Sequence, residues 1–124
     1  MNKRKVDELI PQAYVVLKSV KIASSDDKVD KKWRGQISSF GASVATGSLL
    51  SAIAFFNAQG GSDLDRKLLI DAIGKLIESK PENLFKYVCT CINNHNERKV
   101  KEEVINAAIA LKLAMNLYDL RKGD

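Results

Sequence analysis

The sequence predicts an all-α fold, a single compact bundle of five to six helices, and three observations carry that prediction. Apolar residues recur at three- and four-residue spacing through most of the chain, the period of a helix with one buried face. Strand-like alternation with a period of two does not survive beside that spacing. A length of 124 residues and 13.7 kDa leaves room for one core and not two, so residues 1–124 are expected to form a single helical domain.

The first helix is carried by Val6, Leu9, Ile10, Ala13, Val16, Leu17 and Val20. Pro11 is expected in its opening turns, where a missing N–H costs least, which places the regular start near Asp7. Ser24-Ser25-Asp26-Asp27 is a polar break. A second helix is expected from about Asp27–Asp30, its acids near the positive end, running through Trp33, Ile37 and Phe40.

From Gly35 to Ser62 there are 28 residues without a charged side chain. Ser, Thr, Gln, Asn and Gly break every apolar run there short of the ~20 residues a membrane span requires. The expected arrangement is two small-residue helices packed deep in the fold and meeting around Gly41–Gly47. Gly35, Gly41 and Gly47, six residues apart, are read as sites of close backbone approach and not as a phosphate loop, which needs a terminal Gly-Lys-Ser/Thr.

Gln59-Gly60-Gly61 should end that pair, with Ser62 and Asp65 opening the next helix as a capping-box variant. Leu64, Leu68, Leu69, Ala72, Ile73, Leu76 and Ile77 supply its apolar face. Pro81 separates it from a helix over Leu84–Ile92, and Asn93-Asn94-His95-Asn96 forms a loop with Asn96 as N-cap. The last helix is expected from about Glu97 to Leu120. Val104, Ala108, Leu111, Met115 and Tyr118 line one face, and Ile105, Ile109, Leu113, Leu117 and Leu120 cover the flank beside it. So wide an apolar surface implies either a central helix or one whose flank meets another protein.

Function classes narrow in the same way. The net charge is +5, and residues through Arg34 carry nine basic against five acidic side chains. A pI near 9.2 is compatible with a polyanionic partner without requiring one. The basic opening, Met1 to Lys5, is interrupted by Asp7, Glu8 and Pro11 before any signal-peptide core forms, and two cysteines are too few for a disulfide framework; a cytoplasmic location is expected.

No titratable set converges in the sequence. His95 sits in an Asn-rich loop with Glu97 as its nearest carboxylate. Cys89 and Cys91 point apart on a helix with only His95 as a further zinc ligand, and in Asp63-Leu64-Asp65 the second carboxylate is better spent as a helix cap. The expectation is a protein that is not an enzyme, with no cofactor and no metal.

Binding is better represented. Lys28, Lys31, Lys32 and Arg34 gather around Trp33, a composition suited to phosphate contacts with a stacking platform. A solvated charged turn with Trp33 folded into the core accounts for the same residues equally well. Arg98, Lys99 and Lys101 form a secondary basic cluster at the start of the last helix, where positive charge opposes the helix dipole.

The order of these features resembles a known family. An amphipathic first helix precedes the basic segment Lys31-Lys32-Trp33-Arg34. Then comes the turn and apolar helix Thr46-Gly47-Ser48-Leu49-Leu50-Ser51-Ala52-Ile53-Ala54-Phe55-Phe56, and the chain closes on Ala107-Ala108-Ile109-Ala110-Leu111-Lys112-Leu113-Ala114-Met115. This pattern is similar to the small helical subunit of the type III-B CRISPR effector, the Cmr or RAMP-module complex. The resemblance implies a non-catalytic staple beside the backbone RAMP subunits, helping to hold the channel of guide and target RNA in antiviral defence, with Lys28, Lys31, Lys32 and Arg34 as the candidate RNA-backbone contacts. It also implies weak or no self-association of the isolated chain and no membrane. The alternative class is a free-standing helical nucleic-acid-binding or regulatory domain.

Overall fold

The computed structural model describes residues 1–57 and 65–121. Six helices account for most of them: α1 (Lys3–Ser19), α2 (Lys31–Thr46), α3 (Leu49–Asn57), α4 (Lys67–Leu76), α5 (Leu84–Asn93) and α6 (Glu97–Met115). The all-α bundle stands, with one addition. Two three-residue strands, β1 (Lys28–Asp30) and β2 (Asp119–Arg121), pair in parallel with Lys28 opposite Asp119, Val29 opposite Leu120 and Asp30 opposite Arg121.

Helix α1 begins four residues earlier than the proline suggested. Asn2 caps it, its side chain accepting from the Lys5 amide at 3.1 Å, and Pro11 lies well inside the helix. Pro11 and Asp7 are both exposed, so the Asp7 carbonyl that loses its intrahelical donor faces water, which lowers the cost of the missing bond. The helix ends with Val20 as cap and Lys21 at φ 68°, where the amides of Ile22 and Ala23 both bond the Leu17 carbonyl.

α6 is the axis of the bundle. Val100, Val104, Ala107, Ala108, Leu111, Ala114 and Met115 are buried, against Ala13 and Leu17 of α1 and Trp33, Ile37, Phe40 and Val44 of α2 in one continuous core. Alanines at 107, 108, 110 and 114 bring neighbouring helices close to this axis. Asn106, the one buried polar residue among those described (5% exposed), accepts from the Asn2 amide at 2.9 Å and fixes the start of α1 to α6. The Phe40 and Phe56 rings meet edge-on with centroids 5.2 Å apart, tying α2 to α3.

α6 stops at Met115 and does not reach Leu120. The apolar spacing continues, but Tyr118 leaves the helix to stack on Tyr14, with centroids 4.4 Å apart and planes 13° from parallel, and its hydroxyl donates to the Tyr14 carbonyl. The chain then extends as β2, where the Asp119 amide bonds the Asp27 carbonyl at 2.9 Å.

The α2–α3 pair meets at Gly47, as expected, but it is buried on one side only. Ser38, Ser39, Ala42, Ser43, Ala45 and Thr46 are exposed, and a Cβ added at Gly35 or Gly41 would meet nothing within 4 Å. Those two glycines are not sites of close backbone approach. The expected break at Gln59-Gly60-Gly61, the Ser62 cap and Asp63 lie outside the described residues. Asp65 does act at the start of α4, its side chain accepting from the Lys67 amide at 3.2 Å.

Candidate nucleic-acid interface

The basic segment divides between two elements. Lys28 belongs to β1, while Lys31, Lys32 and Arg34 lie in the first turns of α2, which Asp30 caps by accepting from the Lys32 amide at 2.9 Å. The second helix therefore starts after the acids of the turn and not within them. Asp26 and Asp27 serve the preceding loop, where Asp27 adopts a φ of 62°.

Within that loop Lys28 already has a partner, since its Nζ lies 3.0 Å from an Asp26 carboxylate oxygen. The Ser24 hydroxyl donates to the same carboxylate, and the two bonds hold the Asp26 carboxyl down to about 2. Lys18 pairs with Asp27 alongside, and that hydrogen bond raises the lysine above its ordinary value. Lys28 is thus tied into the turn; Lys31 and Lys32, at the start of α2, are exposed to solvent.

Trp33 resolves the two readings of this segment. Its ring is only 6% exposed, on the face shared by Ile37, Phe40 and Val44, so it cannot serve as a stacking platform for bases. The 4-3-4 spacing of these residues, continuing the core stripe, is the reason. Arg34 is half-buried, with its Nε enclosed and without a hydrogen-bond partner among the described residues. Lys31 and Lys32 are exposed at the start of α2, with the half-buried Arg34 beside them.

The secondary cluster is elsewhere. Arg98 and Lys99 are exposed and Lys101 half-buried at the N-terminal end of α6, whereas β1 and the start of α2 adjoin β2 beyond its C-terminal end. From Lys101 to the end of α6 at Met115 the helix runs about 21 Å at the helical rise, so the structure does not join the two clusters. Lys99 instead lines a mixed-charge groove of about 420 Å³ with Lys5, Glu8, Glu102, Glu103 and Asn106.

The remaining candidates for chemistry are dispersed. His95 sits at φ 62° just beyond the Asn94 cap of α5, its amide bonding Ile92 and the Asn96 amide bonding Cys91, so it turns the chain toward α6. Asn96 occupies the N-cap position of α6 without a side-chain bond. Cys89 and Cys91 are free and half-buried. Among the described residues no three His, Cys, Asp or Glu side chains are grouped to hold a metal ion. The larger groove, about 730 Å³ between α1, α4 and the start of α5, is lined by Lys67, Lys75, Lys80, Asp71 and Glu82 among others, and neither His95 nor a cysteine faces it.

Sequence reasoning missed the Asp26–Lys28 pairing, the buried Asn106 and the strand ladder. Asn106 had a signal, a polar side chain inside the run Val104 to Leu111 on an otherwise apolar helix. Among the described residues, no helix is long and apolar enough to cross a membrane. Compared with known protein families, curated proteins and solved structures, the chain matches none of them.

Proposed function

We propose that this protein is a non-catalytic structural subunit of a cytoplasmic ribonucleoprotein effector of the type III-B CRISPR kind, packed beside backbone subunits and helping to hold guide and target RNA. The observation that carries the reading is the continuity of one surface. Lys31 and Lys32 stand exposed at the start of α2, and the solvent face of the same helix continues through Ser38, Ser39, Ala42, Ser43, Ala45 and Thr46 without a charge. A phosphate-attracting edge beside a flat, uncharged face suits a subunit that lies along an RNA channel while abutting protein neighbours.

A reader of duplex sequence is disfavoured by α3. It follows the Gly47 turn as a recognition helix would, yet its nine residues carry no charge and bury Leu49, Ala52, Ile53 and Phe56.

The test is the triple change of Lys31, Lys32 and Arg34 to Glu, assayed in the assembled complex. Phosphate contacts position a strand without reading it, and each neutralised phosphate on a single strand adds a salt slope of roughly −0.7. The isolated wild-type chain should bind single-stranded RNA weakly, without sequence preference, and lose it near physiological salt. In the complex the triple variant should retain guide and target RNA less well at every salt concentration. Equal retention by variant and wild type overturns the RNA role, and tight sequence-specific duplex binding by the isolated chain would favour a free-standing regulator.

A further inference from the structure

The groove that Lys99 borders lies between α1 and α6, with the turn after α4 as its third wall. Its volume of about 420 Å³ falls within the roughly 300–1,000 Å³ of small-molecule pockets. The apolar lining comes from Leu9, half-buried on α1, and from Leu76 and Ile77, both buried at the end of α4. Asn106 reaches the groove from α6 and is 5% exposed. Its Oδ1 accepts from the Asn2 amide, which fixes the side chain with its nitrogen turned the other way. That nitrogen makes no hydrogen bond among the described residues and is not sealed from the groove, so its two N–H donors face the groove unpaired.

The charges around the groove have both signs. Glu8 is engaged by Arg4, and Glu103 accepts from the Tyr87 hydroxyl. Glu78 and Glu102 remain, with Lys5, Lys80 and Lys99. All five are exposed, and none is joined to an opposite charge by an ion pair among the described residues. A polyanion such as RNA would meet the two glutamates, and a polycation the three lysines. A wholly apolar molecule would leave the Asn106 donors unpaired. A hydrogen-bond acceptor, one charge of each sign and an apolar body together make up a short peptide. From the buried amide, the apolar lining and the unpaired charges we infer that the groove binds a dipeptide-sized peptide with free ends and apolar side chains. Those side chains lie on Leu9, Leu76 and Ile77, and a backbone carbonyl accepts from Asn106. The carboxylate end turns toward the lysines and the ammonium end toward Glu78 and Glu102. The inference does not depend on the ribonucleoprotein reading, because it uses no residue at the start of α2.

The experiment titrates the full chain with dileucine and three relatives: diglycine, N-acetyl-dileucine and dileucine amide. Calorimetry follows the binding and amide NMR shifts map it. Dileucine should bind saturably and shift the amides of Ile77 and Asn106. Diglycine, which lacks the apolar body, should bind about tenfold weaker or worse. Each capped form loses one end charge at a solvent-open rim and should bind about threefold weaker. Glu78→Gln with Glu102→Gln, at exposed positions, should bind the free and acetylated peptides alike. Lys80→Gln with Lys99→Gln, also exposed, should bind the free and amidated peptides alike. Asn106→Asp keeps an oxygen for the Asn2 amide and removes the two donors, so it should weaken dileucine about fivefold, with melting curves to check the fold. The absence of saturable dileucine binding overturns the inference, as does equal binding of diglycine. Capped forms that bind the wild-type chain as tightly as free dileucine would assign the groove to an internal peptide segment and overturn it equally.

Discussion

Lys31 and Lys32 occupy the first two positions of α2, where the unpaired amides of the helix already concentrate positive charge. A cation there works against the dipole and an anion with it, each by about 0.3–1 kcal/mol at an exposed site. Reversing one charge covers both contributions. Two reversals would therefore add about 1–4 kcal/mol if nothing opposed them. Two things do. New carboxylates at 31 and 32 crowd the Asp30 carboxylate that caps the helix through the Lys32 amide, and both positions are exposed, so solvent screens them. The net expectation for Lys31→Glu with Lys32→Glu is a gain of about 0.5–1.5 kcal/mol, which raises Tm by roughly 2–6 °C in a domain of this size. Circular dichroism melts at low and high salt check this, and the gain should shrink as salt is added. The same pair should weaken RNA retention in the assembled complex. A more stable variant that holds RNA less well is the signature of charge kept for binding at a cost to the fold. A lower Tm, or a gain indifferent to salt, would refute the dipole argument.

Trp33→Ala should cost about 3–5 kcal/mol by removing a buried ring, and the fluorescence of native Trp33 should resist quenching by iodide. Tyr118→Phe keeps the stack on Tyr14 and removes the hydroxyl bonded to the Tyr14 carbonyl, for a loss of about 0.5–1.5 kcal/mol by urea denaturation. The Asp26 carboxyl should titrate near 2 by NMR, and Ser24→Ala should move it up toward 3.8, the ordinary value. Because folding lowers this group's value, its contribution to stability is present above pH 4 and is lost as pH falls toward 2. Pro11→Ala restores a donor for the Asp7 carbonyl on the exposed side of α1 and should stabilise the protein by about 1 kcal/mol or more in the same urea assay.

The buried faces of the helices were legible because one period governs them. Trp33, Ile37 and Phe40 announced the core face of α2 before any ring was placed, and that spacing proved a better guide to Trp33 than the lysines around it. The start of α6 after Asn96 was legible for a similar reason, since the loop residues change character there. Its end was not, because Leu117, Tyr118 and Leu120 keep the helical spacing after the helix has stopped. Tyr118 answers to Tyr14, and no local pattern reports a partner so distant. The strands were illegible on the same ground. Lys28-Val29-Asp30 and Asp119-Leu120-Arg121 are too short for alternation to register, and each is defined only by the other. Pro11 misled in the opposite direction: the rule about helix interiors is a statement of cost, and exposure of the Asp7 carbonyl reduces that cost. Among the candidate contacts, the pairing of Lys28 with Asp26 was not legible because it is made through a turn whose shape depends on a left-handed Asp27.

Two of the fold's fastenings, Asn106 to Asn2 and Tyr118 to Tyr14, each join positions 104 residues apart, and β2 completes a ladder begun by β1. A ribosome releases these partners in order. Until α6 and β2 emerge, α1 and α2 have neither the axis that buries Leu17 and Trp33 nor the tyrosine that anchors the first helix. Contacts of such long range must form against the entropy of the whole intervening loop, and they form late. The nascent chain therefore holds Val6, Leu17, Trp33 and Phe40 uncovered until α6 and β2 have emerged, so the core of this bundle closes only after its last elements are made.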